Sequence, residues 1–87
     1  MTYRIQFTPK ASKQVGRLDK PISRRIQLYL ENLDLENPRL AGKPLSGESG
    51  FWRYRVGDYR ILVSIADDVL LVLVIDVDHR RQIYRER

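Results

Sequence analysis

The chain has 87 residues, no cysteine and a formal net charge of +5, with an isoelectric point near 9.9. A chain this short supports one small core with little stability in reserve, and without cysteine neither a disulfide nor a thiolate metal centre can hold it together. The longest apolar run, residues 69–75, is far short of a membrane span, and the opening MTYRIQF lacks the apolar stretch of a signal peptide, so the expectation is a soluble, cytoplasmic protein.

In chain order, residues 3–7 alternate apolar and polar, as a half-buried strand does. Thr8 followed by Pro9 offers an N-cap and a proline at the first helical position, predicting a helix over residues 9–18. Ala11, Val15 and Leu18 form its inward stripe, while Lys10, Lys13 and Arg17 take the outer side. Asp19 can cap a second helix. Ile22, Ile26, Tyr29, Leu30 and Leu33 recur at helical spacing, and the helix should end before Pro38, which disfavours helical geometry at Asn37. Residues 34–50, rich in proline and glycine, read as a loop with a short extended piece at Lys43, Pro44 and Leu45.

Two tight turns follow. Gly57 and Asp58 make a two-residue hairpin loop, which fixes the register: Val56 faces Tyr59, Arg55 faces Arg60, Tyr54 faces Ile61, and Arg53 faces Leu62. Trp52, Tyr54, Val56, Tyr59, Ile61 and Val63 then share an apolar face, with Arg53, Arg55 and Arg60 on the other. A second two-residue loop at Asp67 and Asp68 would pair Ala66 with Val69 and bring Arg60 opposite Ile75. The strand over residues 69–77 is apolar on both faces, which predicts an interior strand covered on both sides, with the first strand along its free edge. The expected product is a single α+β domain, β-α-α-β-β-β. A helical hairpin packs on one face of a mostly antiparallel four-stranded sheet, with a short turn or helix over residues 80–84.

Twelve of the sixteen cations are arginine, whose planar fork binds phosphate bidentately. Six cations, Lys10, Lys13, Arg17, Lys20, Arg24 and Arg25, crowd residues 10–25 against one Asp19, and together they favour a polyanionic partner. Like charges facing each other across a strand pair, as Arg55 and Arg60 do, are unfavourable unless salt screens them or an anion sits between. A solvated outer face and a preformed phosphate site both satisfy that pattern. One histidine, no cysteine and scattered carboxylates give no metal site, and no glycine-rich phosphate loop is present. Asp67 and Asp68, and likewise Asp76 and Asp78, read as turn and strand-end residues. The chemistry left open is metal-independent cleavage of RNA, whose own 2′-hydroxyl is the nucleophile. Arginines supply charge for it, but the proton transfers need a group that titrates, such as His79.

The string WRYRVGDYRIL, the apolar strand after it and HRRQIY at residues 79–84 resemble the RelE/ParE superfamily of toxins from toxin–antitoxin pairs. The resemblance covers nearly the whole chain, including K-P-L-x-G from Lys43 to Gly47. It implies a ribosome-dependent mRNA endonuclease of the RelE-like branch, acting without a metal or cofactor. By motif position it implies that Arg60 and Arg80 stabilise the scissile phosphate and leaving oxygen, and that Tyr84 stacks on or orients the nucleotide. Arg53 and Arg55 correspond to cationic residues at the RNA, Arg55 also counting among the catalytic residues, and Lys10, Lys13 and Arg17 extend the candidate RNA-binding surface. RelE itself carries lysines where this chain has Arg53 and Arg55, which leaves the general base open. His79 is the candidate acid or base, or else a strand-end histidine packed on an aromatic ring. The implied partners are a cognate antitoxin that folds as it binds, the ribosome and mRNA, with DNA met only through the toxin–antitoxin complex. Two alternatives stand beside this: a ParE-like inhibitor of DNA gyrase, and a basic RNA- or antitoxin-binding module without catalysis.

Overall fold

The structure is a computed structural model and describes residues 2–45 and 50–79. The elements run β1 (Arg4–Phe7), α1 (Pro9–Gly16), α2 (Lys20–Glu31), a 3-10 turn (Pro38–Leu40), β2 (Lys43–Pro44), β3 (Phe51–Val56), β4 (Tyr59–Ala66) and β5 (Leu71–His79). The sheet has five strands rather than four, in the order β1-β5-β4-β3-β2, because the short extended piece at Lys43 joins its edge. β1 is parallel to β5, and the other pairs are antiparallel.

Thr8 caps α1 as its sequence predicts, its hydroxyl accepting the Ala11 N–H at 3.1 Å. Asp19 occupies the equivalent place before α2, but its side chain makes no capping hydrogen bond. Both helices lie on one face of the sheet. Ala11, Val15, Ile26 and Leu30 close over Tyr54, Val56, Ile61, Val63, Ile65, Val72, Val74 and Val77 in one core cluster. Alternation along each strand puts these apolar residues on the covered face. The other face is not covered: Leu62, Leu71, Leu73 and Ile75 stay half-buried, and among the described residues both helices pack on the opposite side. Among the described residues β5 is therefore interior within the sheet but covered on one side only.

The hairpin between β3 and β4 has the expected register, Val56 to Tyr59 through Arg53 to Leu62. Gly57 turns it with φ +58°, the left-handed backbone such a loop asks of glycine. The β4–β5 register differs from expectation. The connection spans residues 67–70 rather than two residues, with Leu70 at φ +52°, and Ala66 pairs with Leu71. A β-bulge then inserts Ile75, since Val63 pairs with Val74 but Leu62 pairs with Asp76. Two extra loop residues and one bulge residue bring Arg60 opposite Asp78, not Ile75.

That single inserted residue decides which side the carboxylates take. Val72 and Val74 face the helices; without the bulge, Asp76 and Asp78 would follow them into the core. With it, Val77 takes the buried position and both carboxylates come out on the arginine face. The interrupted edge of β5 is satisfied from α1. The Thr8 N–H donates to the Val74 carbonyl at 3.0 Å, its hydroxyl lies 3.4 Å from the Ile75 carbonyl, and the Gln14 amide oxygen accepts the Val77 N–H at 2.8 Å.

Candidate active site: a cationic sheet face

Among the described residues, Lys43, Arg53, Arg55 and Arg60 gather on one part of the uncovered face, with Arg4 on the same face at the β1 edge. The hairpin register aligns Arg55 with Arg60, and β2 sets Lys43 directly opposite Arg53. The extended piece expected at Lys43, Pro44 and Leu45 is present as β2, but the sequence assigned Lys43 no place in the site. A pairing of two residues has no periodicity to detect. Its position is nonetheless well fixed. The Trp52 indole N–H donates to the Ala41 carbonyl at 2.7 Å, and the buried Tyr54 hydroxyl donates to the Pro38 carbonyl at 2.7 Å. Arg39 lies 5.9 Å from the Trp52 ring centroid and forks onto Asp67 at 2.9 and 3.2 Å. Between these anchors Gly42 turns the chain at φ +76°, where a Cβ would stand 2.5 Å from the Arg53 carbonyl oxygen.

Two recesses flank this row. One, of about 290 Å³, is lined by Tyr29, Gly42, Lys43, Arg53, Arg55 and Arg60. The other, of about 160 Å³, is lined by Leu45, Arg53, Arg60, Leu62, Asp76 and Asp78. Arg53 and Arg60 border both. The second recess corrects the reading of Asp76 and Asp78 as mere strand-end residues. Asp76 sits 2.6 Å from the Gln14 amide nitrogen and 3.6 Å from Lys10 Nζ. Burial pushes its carboxyl up, but hydrogen bonds from Gln14 and with Asp78, together with the Lys10 ammonium, hold it below the ordinary carboxylate range.

His79 is placed elsewhere. It pairs with Tyr59, which shares the helix-bearing face with Ile61 and Val63, and its ring meets Tyr59 edge-on with centroids 4.8 Å apart. It lines a small recess with Ile22, Arg25, Val56 and Asp58, across the sheet from Arg60. The structure therefore brings together Arg53, Arg55 and Arg60 but not His79. Lys13 on α1 and Arg17 just after it are exposed, and Lys10 reaches the site through Asp76. Arg80, Tyr84 and the expected C-terminal turn lie outside the described residues.

Such a face can bind a polyanion backbone through the arginine forks and a lysine point charge. Among the described residues no cluster of three or more histidine, cysteine or carboxylate groups could hold a metal ion, and no helix is long and apolar enough to cross a membrane.

Comparison with known proteins identifies the class to which this small α+β fold belongs. Residues 5–84 match the family described as the ParE toxin of the type II toxin–antitoxin system parDE. Toxin RelG of Mycobacterium tuberculosis is 34% identical over 86 residues, covering 98% of this chain and 99% of that protein. The toxin–antitoxin complex RelBE2 of the same organism contains a chain that superposes with a TM-score of 0.81 at 31% identity, covering 92% of this chain and all of that one. A chain of the RelB–RelE antitoxin–toxin complex of Methanococcus jannaschii gives a TM-score of 0.73 at 27% identity, covering 93% of this chain and 96% of that one. The chain belongs to the RelE/ParE superfamily and is a toxin of a type II toxin–antitoxin system.

Proposed function

We propose that this toxin is a metal-independent, ribosome-dependent mRNA endonuclease that inhibits translation in the cytoplasm. The observation that carries this reading is the register that gathers Lys43, Arg53, Arg55 and Arg60 on one uncovered face. Four cations at strand spacing hold a phosphodiester and offset the charge that builds on it when the 2′-hydroxyl attacks. Arg60 and Arg80 take the scissile phosphate and leaving oxygen, Arg53 and Arg55 hold the backbone, and Tyr84 orients the nucleotide. Solved relatives in complex with RelB-type chains support a cognate antitoxin as the partner that silences this chain.

The test is induced expression with mRNA 5′ ends mapped, comparing wild type with an Arg60→Ala/Arg80→Ala double variant. Cuts at a fixed position within codons that vanish in the variant are the expected result. Growth arrest with intact messages would overturn it. The matched family description names parDE, which favours a gyrase inhibitor as the second reading. That reading predicts altered plasmid topology, with toxicity surviving Arg80→Ala and Tyr84→Phe.

A further inference from the structure

An RNA cleavage of the kind proposed above needs a group that accepts the 2′-hydroxyl proton within hydrogen-bond reach of the held phosphate. Arginine does not fill that role, since its side chain stays protonated. His79 faces the helices, on the wrong side of the sheet. The titratable groups that the described residues bring to the arginines are Tyr29, Lys43, Asp76 and Asp78; Tyr29 and Lys43 line one recess, and the two carboxylates line the other. Asp76 is bound to α1 by Gln14 and Lys10. Asp78 stands one step further along β5, directly across from Arg60, which is itself directly across from Arg55.

We propose that Asp78 is the general base of this toxin, placed on the arginine face by the Ile75 bulge; the inference rests on the nuclease reading above. A phosphate held between Arg55 and Arg60 sits beside the recess that Asp78 lines. In the step, the Asp78 carboxylate takes the 2′-hydroxyl proton as the 2′-oxygen bonds to phosphorus. The P–O5′ bond breaks, leaving a 2′,3′-cyclic phosphate, and the departing 5′-oxygen takes a proton from solvent water. Asp78 returns its proton to solvent afterwards. The bulge is what the chemistry requires of the backbone, because a regular strand would bury this carboxylate with Val72 and Val74.

Among the described residues, the charged groups around Asp78 are Arg60 from β4, Arg53 across the recess, Arg55 on the far side of Arg60, Asp76 from its own strand, and Lys10 from α1 through Asp76. The experiment is single-turnover cleavage of mRNA on programmed ribosomes as a function of pH, for wild type, Asp78→Asn and Asp78→Glu, with ribosome binding measured alongside. The expected result is a loss of about 10²–10⁴-fold in Asp78→Asn with binding retained, and a loss of the rate's rise with pH on the acid side. Asp78→Glu, which keeps the carboxylate, stays within about tenfold, and this arm reports on the proposal even if the asparagine variant folds poorly. If wild type cleaves and Asp78→Asn cleaves within threefold, Asp78 is not the base although the nuclease reading survives. A slower Asp78→Asn with the wild-type pH profile also overturns it, because the group that titrates is then still present and Asp78 acts only by positioning Arg60. Intact mRNA with wild-type toxin overturns the nuclease reading itself and this assignment with it.

Discussion

Tyr54→Phe removes one oxygen atom and tests how the segment carrying Lys43 is anchored. Tyr54 is fully buried, as is Pro38, and the hydroxyl donates to the Pro38 carbonyl at 2.7 Å. Phenylalanine fills the same volume, so no cavity term enters. The cost is a buried carbonyl deprived of its donor, about 1–3 kcal/mol. For a domain of this size each kcal/mol moves Tm by roughly 4–8 °C, so the expected fall lies between about 4 and 24 °C. The same hydroxyl gives the effect a pH signature. Burial pushes its pKa up to about 12, so the folded state favours the neutral phenol. That contribution is complete below the ordinary tyrosine value near 10 and disappears as pH rises through 12, amounting to on the order of 2–3 kcal/mol. Urea unfolding of both proteins at pH 8 and pH 11 measures the two effects. Tyr54→Phe should be less stable at pH 8 and lose less on going to pH 11. Equal stability at pH 8, or parallel losses with alkali, would refute the account of this hydrogen bond.

Gly42→Ala should destabilise by about 1–2 kcal/mol from backbone strain alone, and by more because the new Cβ meets the Arg53 carbonyl rather than a side chain that can move; thermal unfolding reads it. Gln14→Ala should expose the Val77 amide to exchange and cost about 1–3 kcal/mol, which hydrogen–deuterium exchange and urea unfolding measure together. Lys43→Ala should weaken RNA binding evenly across sequences and reduce the slope of log K against log salt by about one, as titrations at several salt concentrations would show. Asp67 is held below the ordinary carboxyl value by hydrogen bonds from Arg39 and then Tyr3. Its stabilising contribution is present above about pH 4 and is lost as pH falls through the depressed value, so Asp67→Asn should blunt that part of the acid sensitivity in an acid titration.

How much of this could be read from the residues depends on how locally each feature is encoded. The β3–β4 register follows from Gly57 and Asp58, because a two-residue loop leaves one pairing available. The helices follow from Ala11, Val15, Ile26 and Leu30, whose spacing marks the buried stripe. The β4–β5 register was not legible. Leu70 adopts a left-handed backbone with no glycine to announce it, and the bulge at Ile75 sits inside an unbroken apolar run. The run conceals the change of face, and with it both the arrival of Asp76 and Asp78 beside the arginines and the departure of His79 to the other side. What betrays the bulge is the carboxylates themselves: a regular alternation from Val72 would have buried two charges with no cation facing them. Lys43 was hidden for a different reason, since its position depends on Gly42, Trp52 and Tyr54 acting together across the loop.

The parallel pairing of β1 with β5 also governs when the molecule can assemble. Arg4 pairs with Leu71 and Phe7 with Val74, so the first strand made waits for the last one described. Contacts this distant along the chain are slow to form and leave intermediates with open edges. During synthesis β3 and β4 can close their own turn, but α1 has neither the bulge nor Val77 to seat against until β5 has left the ribosome. Asp78 joins Arg60 at that same moment. A nascent chain short of β5 therefore carries the arginines without the carboxylate beside them, and the two meet only once β5 has been made.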